Sequence, residues 1–478
     1  MLQKRRTKII ATLGPTTDHA DMLDKILTAG VDLVRLNFSH GQASDHRTRV
    51  HAVRAWATAH GREIGIMADL QGPKIRVSRF KDKQIHLATG DAFILDADFP
   101  NDQGNQHIVG IDYKELPKDL LVNDTLLLDD GRVVFTVTAI EGSQIHCTVK
   151  VGGILSNNKG INRLGGGLSA KALTEKDKSD LRVAVELEAD YIAISFPRSA
   201  ADVEEAKALI QAAGGTAGVI AKIERAEAIV EPALDEIIRA SAGIMVARGD
   251  LGVEIGDAAL PSIQKKIIHR CRSLDKAVIT ATQMMETMIH NAIPTRAEVF
   301  DVANAVLDGT DAVMLSAETA SGDHPDIVVE AMARICLGAE QDRSTQISKH
   351  RLECQFDRVD EAIAMATMYT ANHLNIAAII ALTESGSTPL LMSRIRSGIP
   401  IYALSPHVRT QRKMMLYRGV YPIAFDMETK GFRALYLRAI ATLQQKGLVK
   451  AGEWVLLTHG DHLGTVGSTN TMKLLQVQ

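Results

Sequence analysis

Lys222 and Glu224 close the apolar run Gly218-Val219-Ile220-Ala221, and Asp250 closes a second run, Ile244-Met245-Val246-Ala247-Arg248-Gly249. One cation and two carboxylates thus stand at the ends of two short apolar segments. Hard carboxylate oxygens suit a divalent cation, and a lysine beside them suits an anion held on that cation. The set points to metal-assisted chemistry on a phosphorylated or carboxylated small molecule. Singly, each residue has a plainer explanation: a strand-end lysine is usually solvated, Asp250 is placed to cap a helix, and a lone histidine such as His40 is more often structural. Convergence on one face is what would turn them into a site.

The surrounding pattern supplies that face. Eight short apolar runs recur: Ile9-Leu13, Leu33-Leu36, Ile64-Ala68, Tyr191-Ile194, Val219-Ala221, Ile244-Ala247, Val278-Ala281 and Ala312-Leu315. Helical periodicity fills most of the gaps, as in Asp21-Ala29, Asp202-Ala212 and Arg296-Leu307. Strand and helix in alternation predict a parallel sheet, and eight units predict an α/β fold of the (β/α)8 barrel type, with its active site at the C-terminal strand ends. Polar residues stand at those ends: Asn37, Ser39, His40, Asp69, Ser195, Lys222, Glu224, Asp250, Thr282, Ser316 and Glu318.

The rhythm breaks between Asp69 and Tyr191. Alternating segments (Gln84-Leu87, Thr125-Leu128, Val133-Val137, Ile145-Val151) separated by turn residues predict a small β-barrel domain inserted in a barrel loop and able to act as a lid. Gly165-Gly166-Gly167 on its return would be a hinge. After a polar linker (Gln341 to His350), Ala377-Leu382, Ile401-Leu404, Pro422-Asp426 and Trp454-Thr458 alternate with helices, predicting a doubly wound third domain. The expected division is 1–70 with 171–340 for the barrel, 71–170 for the lid, and 341–478 for the C-terminal domain.

Composition narrows the function classes. A net charge of −3 and 4% aromatic content give no global attraction for nucleic acid and few stacking platforms, so cations for an anionic substrate must be clustered locally. The four cysteines, Cys147, Cys271, Cys336 and Cys354, form no Cys-x-x-Cys motif, as fits a reducing compartment. No run is long enough to span a membrane, and the basic start from Met1 to Lys8 reads as a lead-in to a strand, so the expected location is the cytoplasm.

Longer motifs carry a resemblance. Val34-Arg35-Leu36-Asn37-Phe38-Ser39-His40-Gly41, Ala221-Lys222-Ile223-Glu224, Met245 to Gly252, Thr280-Ala281-Thr282-Gln283-Met284, Pro294-Thr295-Arg296 and Asp311 to Thr319 resemble pyruvate kinases, in family order and across the whole barrel. The resemblance implies transfer of a phosphoryl group from phosphoenolpyruvate to ADP, giving pyruvate and ATP in glycolysis. It implies Mg2+, with Mn2+ as the alternative, on Glu224 and Asp250. Substrate would contact Arg35, Gly249, Asp250 and Thr282. Lys222 would stabilise charge on the transferring group and on the enolate, and Thr282 would help protonate carbon. Nucleotide would contact Asn37, His40, Arg76 and Lys159. A homotetramer is also implied. Two rivals are a metal-dependent aldolase on the same barrel, which would need neither lid nor nucleotide contacts, and a silent sugar-phosphate sensor, which would be free to lose Arg35, Lys222, Glu224, Asp250 and Thr282.

One stretch departs from the commoner pattern. In Asp69-Leu70-Gln71-Gly72-Pro73-Lys74-Ile75-Arg76, Lys74 stands where potassium-dependent members usually carry glutamate. Asn37, Ser39, Asp69 and the Leu70 carbonyl still match the family's K+ ligands. An ammonium can supply the fixed positive charge that K+ would otherwise bring, so K+ should not be required. In the C-terminal domain, Thr383-Glu384-Ser385-Gly386-Ser387-Thr388 resembles the family's sugar-phosphate effector loop. Glu384 disfavours a very highly charged ligand. The Gly166-Leu168 region and Gln71-Lys74 resemble the bacterial branch answering to sugar monophosphates or AMP rather than fructose bisphosphate.

Overall fold

The computed structural model describes residues 5–348, 355–428, 431–462 and 464–478. Cys354, the first residues of the basic start and the end of the polar linker lie outside them. The eight apolar runs form eight parallel strands, Lys8–Leu13, Leu33–Asn37, Gly65–Asp69, Tyr191–Ile194, Gly218–Ile223, Gly243–Ala247, Ala277–Ala281 and Ala312–Leu315. They close into a barrel in sequence order, the last pairing with the first through Lys8 beside Ala312 and Ala11 beside Leu315. Alternation along each strand divides the core. Ile9, Ala11, Val34 and Ile66 face outward onto the helices. Ile10, Leu33, Met67, Ile220, Met245 and Met314 fill the interior.

The helices begin where their capping residues stand. Thr174 starts the helix Glu175–Glu186 by accepting from the Asp177 N–H, while Asp177 accepts from the Thr174 N–H at 2.9 Å. Thr295 and Glu298 do the same for Arg296–Asp308. Asp177 has a second task, accepting from the Gly72 N–H at 3.0 Å where the chain leaves the barrel for the insert. Gly72 has φ +69°, and a Cβ there would lie 2.6 Å from the Ser195 Cβ, so only glycine passes this point.

The insert follows the third barrel strand. Six of its strands form one sheet in the order Ile161–Arg163, Thr125–Leu128, Val133–Glu141, Gln144–Val151, Ala92–Asp96, Ile108–Gly110. Gln84–Leu87 and Gly153–Ser156 make a separate antiparallel pair. The insert has its own core around Leu95, Phe93, Phe135 and Val137. On its return, Gly165, Gly166 and Gly167 all take positive φ. The Gly165 N–H donates to the Glu254 carbonyl and the Gly167 N–H to the Glu227 carboxylate, while the Arg225 guanidinium donates to the Leu168 carbonyl, so the return is fastened to the barrel.

In the C-terminal sheet the order is Val420–Ala424, Ile401–Ser405, Ile376–Leu382, Trp454–Gly460, Thr469–Gln476. The first strand in sequence is central, the doubly wound order, and the last is an antiparallel edge. This domain packs on the barrel floor. The Tyr191 hydroxyl donates to the Lys413 carbonyl at 2.7 Å, and Arg394 forms a buried ion pair with Asp311.

Candidate active site

The C-terminal strand ends converge as the spacing predicts. Lys222, near the end of the fifth strand, is the centre. Its ammonium lies 2.9 Å from Glu224 and 3.3 Å from Asp69, and donates to the Ser195 hydroxyl at 2.7 Å. The Ser195 hydroxyl in turn donates to the Leu70 carbonyl at 2.8 Å. Asp69 is wholly buried between two cations, with Arg35 Nε at 2.7 Å on its other oxygen. Arg35 also donates to Thr12 at 3.2 Å. Burial opposes ionisation of Asp69, but Lys222 and Arg35 outweigh it and hold its carboxyl below the ordinary range. Burial likewise opposes a charged Lys222, yet Asp69 and Glu224 push its pKa up, so the ammonium stays charged.

Glu224 behaves differently. Burial pushes its carboxyl up, Lys222 only partly offsets that, and the nearby Asp250 charge adds to the rise. Its second oxygen accepts the Phe196 N–H at 2.8 Å, and Phe196 holds a left-handed φ of +57°. A buried carboxylate whose charge a neighbouring carboxylate disfavours is what a divalent cation would relieve, so Glu224, with Asp250 beside it, fits Mg2+. Among the described residues no group of three or more His, Cys, Asp or Glu is assembled for a metal. That suits an ion which binds through one or two carboxylates together with substrate and water.

Asp250 sits in the first turn of the helix Arg248–Ile255 and pairs with Lys74 at 3.0 Å. Burial works against the Lys74 ammonium, and Asp250 more than offsets it, raising its pKa. Lys74 therefore stands on one of the two carboxylates that fit Mg2+. The other members of the expected monovalent-cation set are occupied locally: Asn37 accepts the Ser39 N–H at 3.1 Å, Asp69 takes Lys222 and Arg35, and the Leu70 carbonyl takes Ser195.

Thr282 directly follows the seventh strand. Its Oγ1 accepts the Gly249 N–H at 2.9 Å and donates to the Ala281 carbonyl at 2.6 Å. The N–H expected to meet a substrate carboxylate is thus engaged by Thr282 here. On the insert, Arg76 and Lys159 are neighbours, since Arg76 bridges to Gly160 and the Val77 N–H donates to the Lys159 carbonyl. Lys159 pairs with Asp129 at 2.7 Å. No hydrogen bond or ion pair joins these two to Asn37 or to the exposed His40 among the described residues. In the sequence Ser195 is simply one polar strand-end residue among several, and nothing there marks Arg248. Only folding shows that Ser195 carries Lys222.

Two family models match the chain, "Pyruvate kinase, barrel domain" over residues 4–329 and "Pyruvate kinase, alpha/beta domain" over residues 361–475. The chain belongs to the pyruvate kinase family. Among its relatives, pyruvate kinase II of Salmonella typhimurium is 56% identical over 476 residues, covering 99% of each chain. The pyruvate kinase of Haemophilus influenzae is 54% identical over 479 residues, again 99% of each. That of Buchnera aphidicola subsp. Acyrthosiphon pisum is 55% identical over 475 residues, with the same coverage. The barrel and α/β models of this family fall on the two domains that supply the strand-end cluster and the effector-like loop, and no helix among the described residues is long and apolar enough to cross a membrane.

Proposed function

We propose the following division of labour for this pyruvate kinase, which transfers the phosphoryl group of phosphoenolpyruvate to ADP, giving pyruvate and ATP. The observation that carries it is the buried Lys222 ammonium between Asp69, Glu224 and Ser195. A cation held charged in a low-dielectric floor stabilises negative charge on a transferring phosphoryl group and on the enolate oxygen it leaves. Arg35, oriented by Asp69, clamps the phosphoryl group through the N–H groups that Asp69 does not use. Gly249 and Asp250 offer first-turn N–H groups to the substrate carboxylate, which displaces Thr282 from Gly249. Thr282, freed from that bond, helps deliver a proton to the enolate carbon through water. Glu224 and Asp250 hold Mg2+, which when bound supplies positive charge to the substrate oxygens. Asn37, His40, Arg76 and Lys159 contact the nucleotide, the last two from a lid that closes over it.

Several finer readings go with this. Residues 1–70 and 171–340 form the catalytic barrel, 71–170 the lid, and 341–478 the effector domain. Lys74 supplies a fixed charge that makes K+ unnecessary. The loop from Thr383 to Thr388 leaves the central strand at its C-terminal end, the topological switch point of the sheet, and faces the segment 464–468 of the neighbouring connection. We read it as the site of a sugar monophosphate or AMP. Glu384 there accepts the Gly464 N–H at 3.0 Å and pairs with His407 at 2.7 Å, which supports a ligand of modest charge. The enzyme is read as a cytoplasmic homotetramer.

The test is pyruvate formation by the purified protein from phosphoenolpyruvate and ADP with Mg2+, first without K+ and then with it. Activity in both conditions is expected. Activity only with K+ removes the Lys74 reading and leaves the reaction. No activity in either, even with sugar phosphates, removes the reaction. For Thr282, T282A should slow solvent-proton exchange into pyruvate more than it weakens Mg2+ binding; equal effects would sink that role.

A further inference from the structure

We infer that Arg248 is a positioning residue for the proton-transfer half of the reaction, holding Thr282 and the Gly249 N–H in register. The inference rests on the role given to Thr282 above and extends it to a side chain to which no substrate contact is assigned.

Arg248 opens the helix Arg248–Ile255, and its side chain is buried. Its guanidinium divides its donors between two ends. At one end it pairs with Asp301 at 2.6 Å. At the other, Nε donates to the carbonyls of Ala281 at 3.2 Å and Thr282 at 3.1 Å, and Nη2 donates to the Thr282 carbonyl and approaches the Met284 sulfur at 2.8 Å. The residue after Arg248 is Gly249, whose N–H goes to Thr282 Oγ1. A closed ring results, running from the Arg248 backbone through Gly249 N–H and the Thr282 side chain to the Thr282 carbonyl, and back through the guanidinium. One arginine thereby fixes both ends of the Thr282–Gly249 bond.

The turn needs such a hold. Thr282 and Gln283 take φ of +66° and +53° in succession. A β-branched residue in the left-handed region is a rare conformation that persists only where its surroundings over-determine it. If the Thr282 carbonyl were released, its peptide would relax and carry Oγ1 away from Gly249. A lysine has one compact ammonium and no rigid fork, so it cannot serve Asp301 and the Thr282 carbonyl together.

The test is a double-mutant cycle on the full-length enzyme with R248K, T282A and the pair, reading methyl-proton exchange of pyruvate in D2O with Mg2+ and ATP beside phosphoryl transfer from phosphoenolpyruvate to ADP. R248K should slow exchange about tenfold or more, the scale for displacing a reacting group by a fraction of an ångström, and by more than it slows phosphoryl transfer. In the T282A background the same change should cost less than about twofold, because its route to the chemistry is already gone. Equal factors in both backgrounds, or unchanged exchange in R248K, would overturn the inference. Unchanged exchange in T282A alone would instead remove the reading of Thr282 on which it stands. If R248K melts below the assay temperature, D301N takes its place in the cycle, since it loosens the guanidinium at its far end and keeps the arginine; the same two outcomes decide.

Discussion

Replacing Lys74 by methionine isolates the argument about monovalent cations. The Lys74 ammonium lies 3.0 Å from Asp250, with side-chain exposures of 30% and 20%. A unit charge about 4 Å away is worth ~1 kcal/mol in water and ~4 kcal/mol at an effective dielectric constant of 20. A pair as wet as this belongs between those limits, so we take about 1–3 kcal/mol for the loss of the ammonium. At about 1.4 kcal/mol per factor of ten, K74M should lose roughly 5- to 150-fold in kcat/KM without K+. Part of that loss should return when K+ is added, since a mobile cation then finds an uncompensated site. The assay is steady-state pyruvate formation at saturating Mg2+, with K+ titrated against a bulky organic cation at constant ionic strength. The parent should be nearly flat across the titration. A K74M enzyme as active without K+ as the parent would refute the reasoning, and so would a parent that needs K+ itself.

Three further outcomes follow from the geometry. K222M should lower kcat by about 10²–10³-fold or more and also destabilise the fold by about 3–5 kcal/mol at pH 7, because Asp69 and Glu224 lose their buried cation; urea unfolding read beside kcat separates the two effects. Glu254, buried beside the insert's return, accepts the Ala226 N–H at 2.8 Å, and burial pushes its carboxyl from 4.5 up to about 7. The folded state therefore holds a proton that the unfolded state has released between pH 4.5 and about 7, and the stability this gives is full below 4.5 and lost as pH rises through 7. Its ceiling is about 3 kcal/mol, and E254Q should flatten that part of the stability profile when denaturation midpoints are compared at pH 5 and 8. R394M should cost about 3–5 kcal/mol by leaving Asp311 without its partner; an unchanged urea midpoint would contradict this.

The barrel was legible because strands buried on both faces read as continuous apolar runs, and all eight were found within a residue or two of their ends. Thr469–Gln476 was not, because an exposed edge strand such as Thr-Asn-Thr-Met-Lys-Leu-Leu-Gln has little to bury and shows no clean alternation. The insert's short strands Ile108–Gly110 and Ile161–Arg163 have too few residues to show a period. At the site, Lys222, Glu224 and Asp250 announced themselves by charge at the ends of apolar runs. Ser195 and Arg248 did not, since their partners are 27 and 34 residues away and are chosen by the closed barrel. The left-handed turns at Phe196 and Thr282 were also silent, because neither residue type advertises positive φ.

The barrel floor has a consequence for how this enzyme is put together. Its inward residues Ile10, Leu33, Met67, Ile220 and Met245 share one continuous apolar body with Met392, Met415, Leu416 and Val420 of the C-terminal domain. Tyr191 is fastened to that domain at the foot of the very strand whose head leads to Ser195 and so to Lys222. A barrel cut away at the linker would stand with an open, oily base and with Asp311 stripped of its ion-pair partner Arg394. Barrel and C-terminal domain are therefore joined through a shared interior, whereas the insert keeps its core to itself.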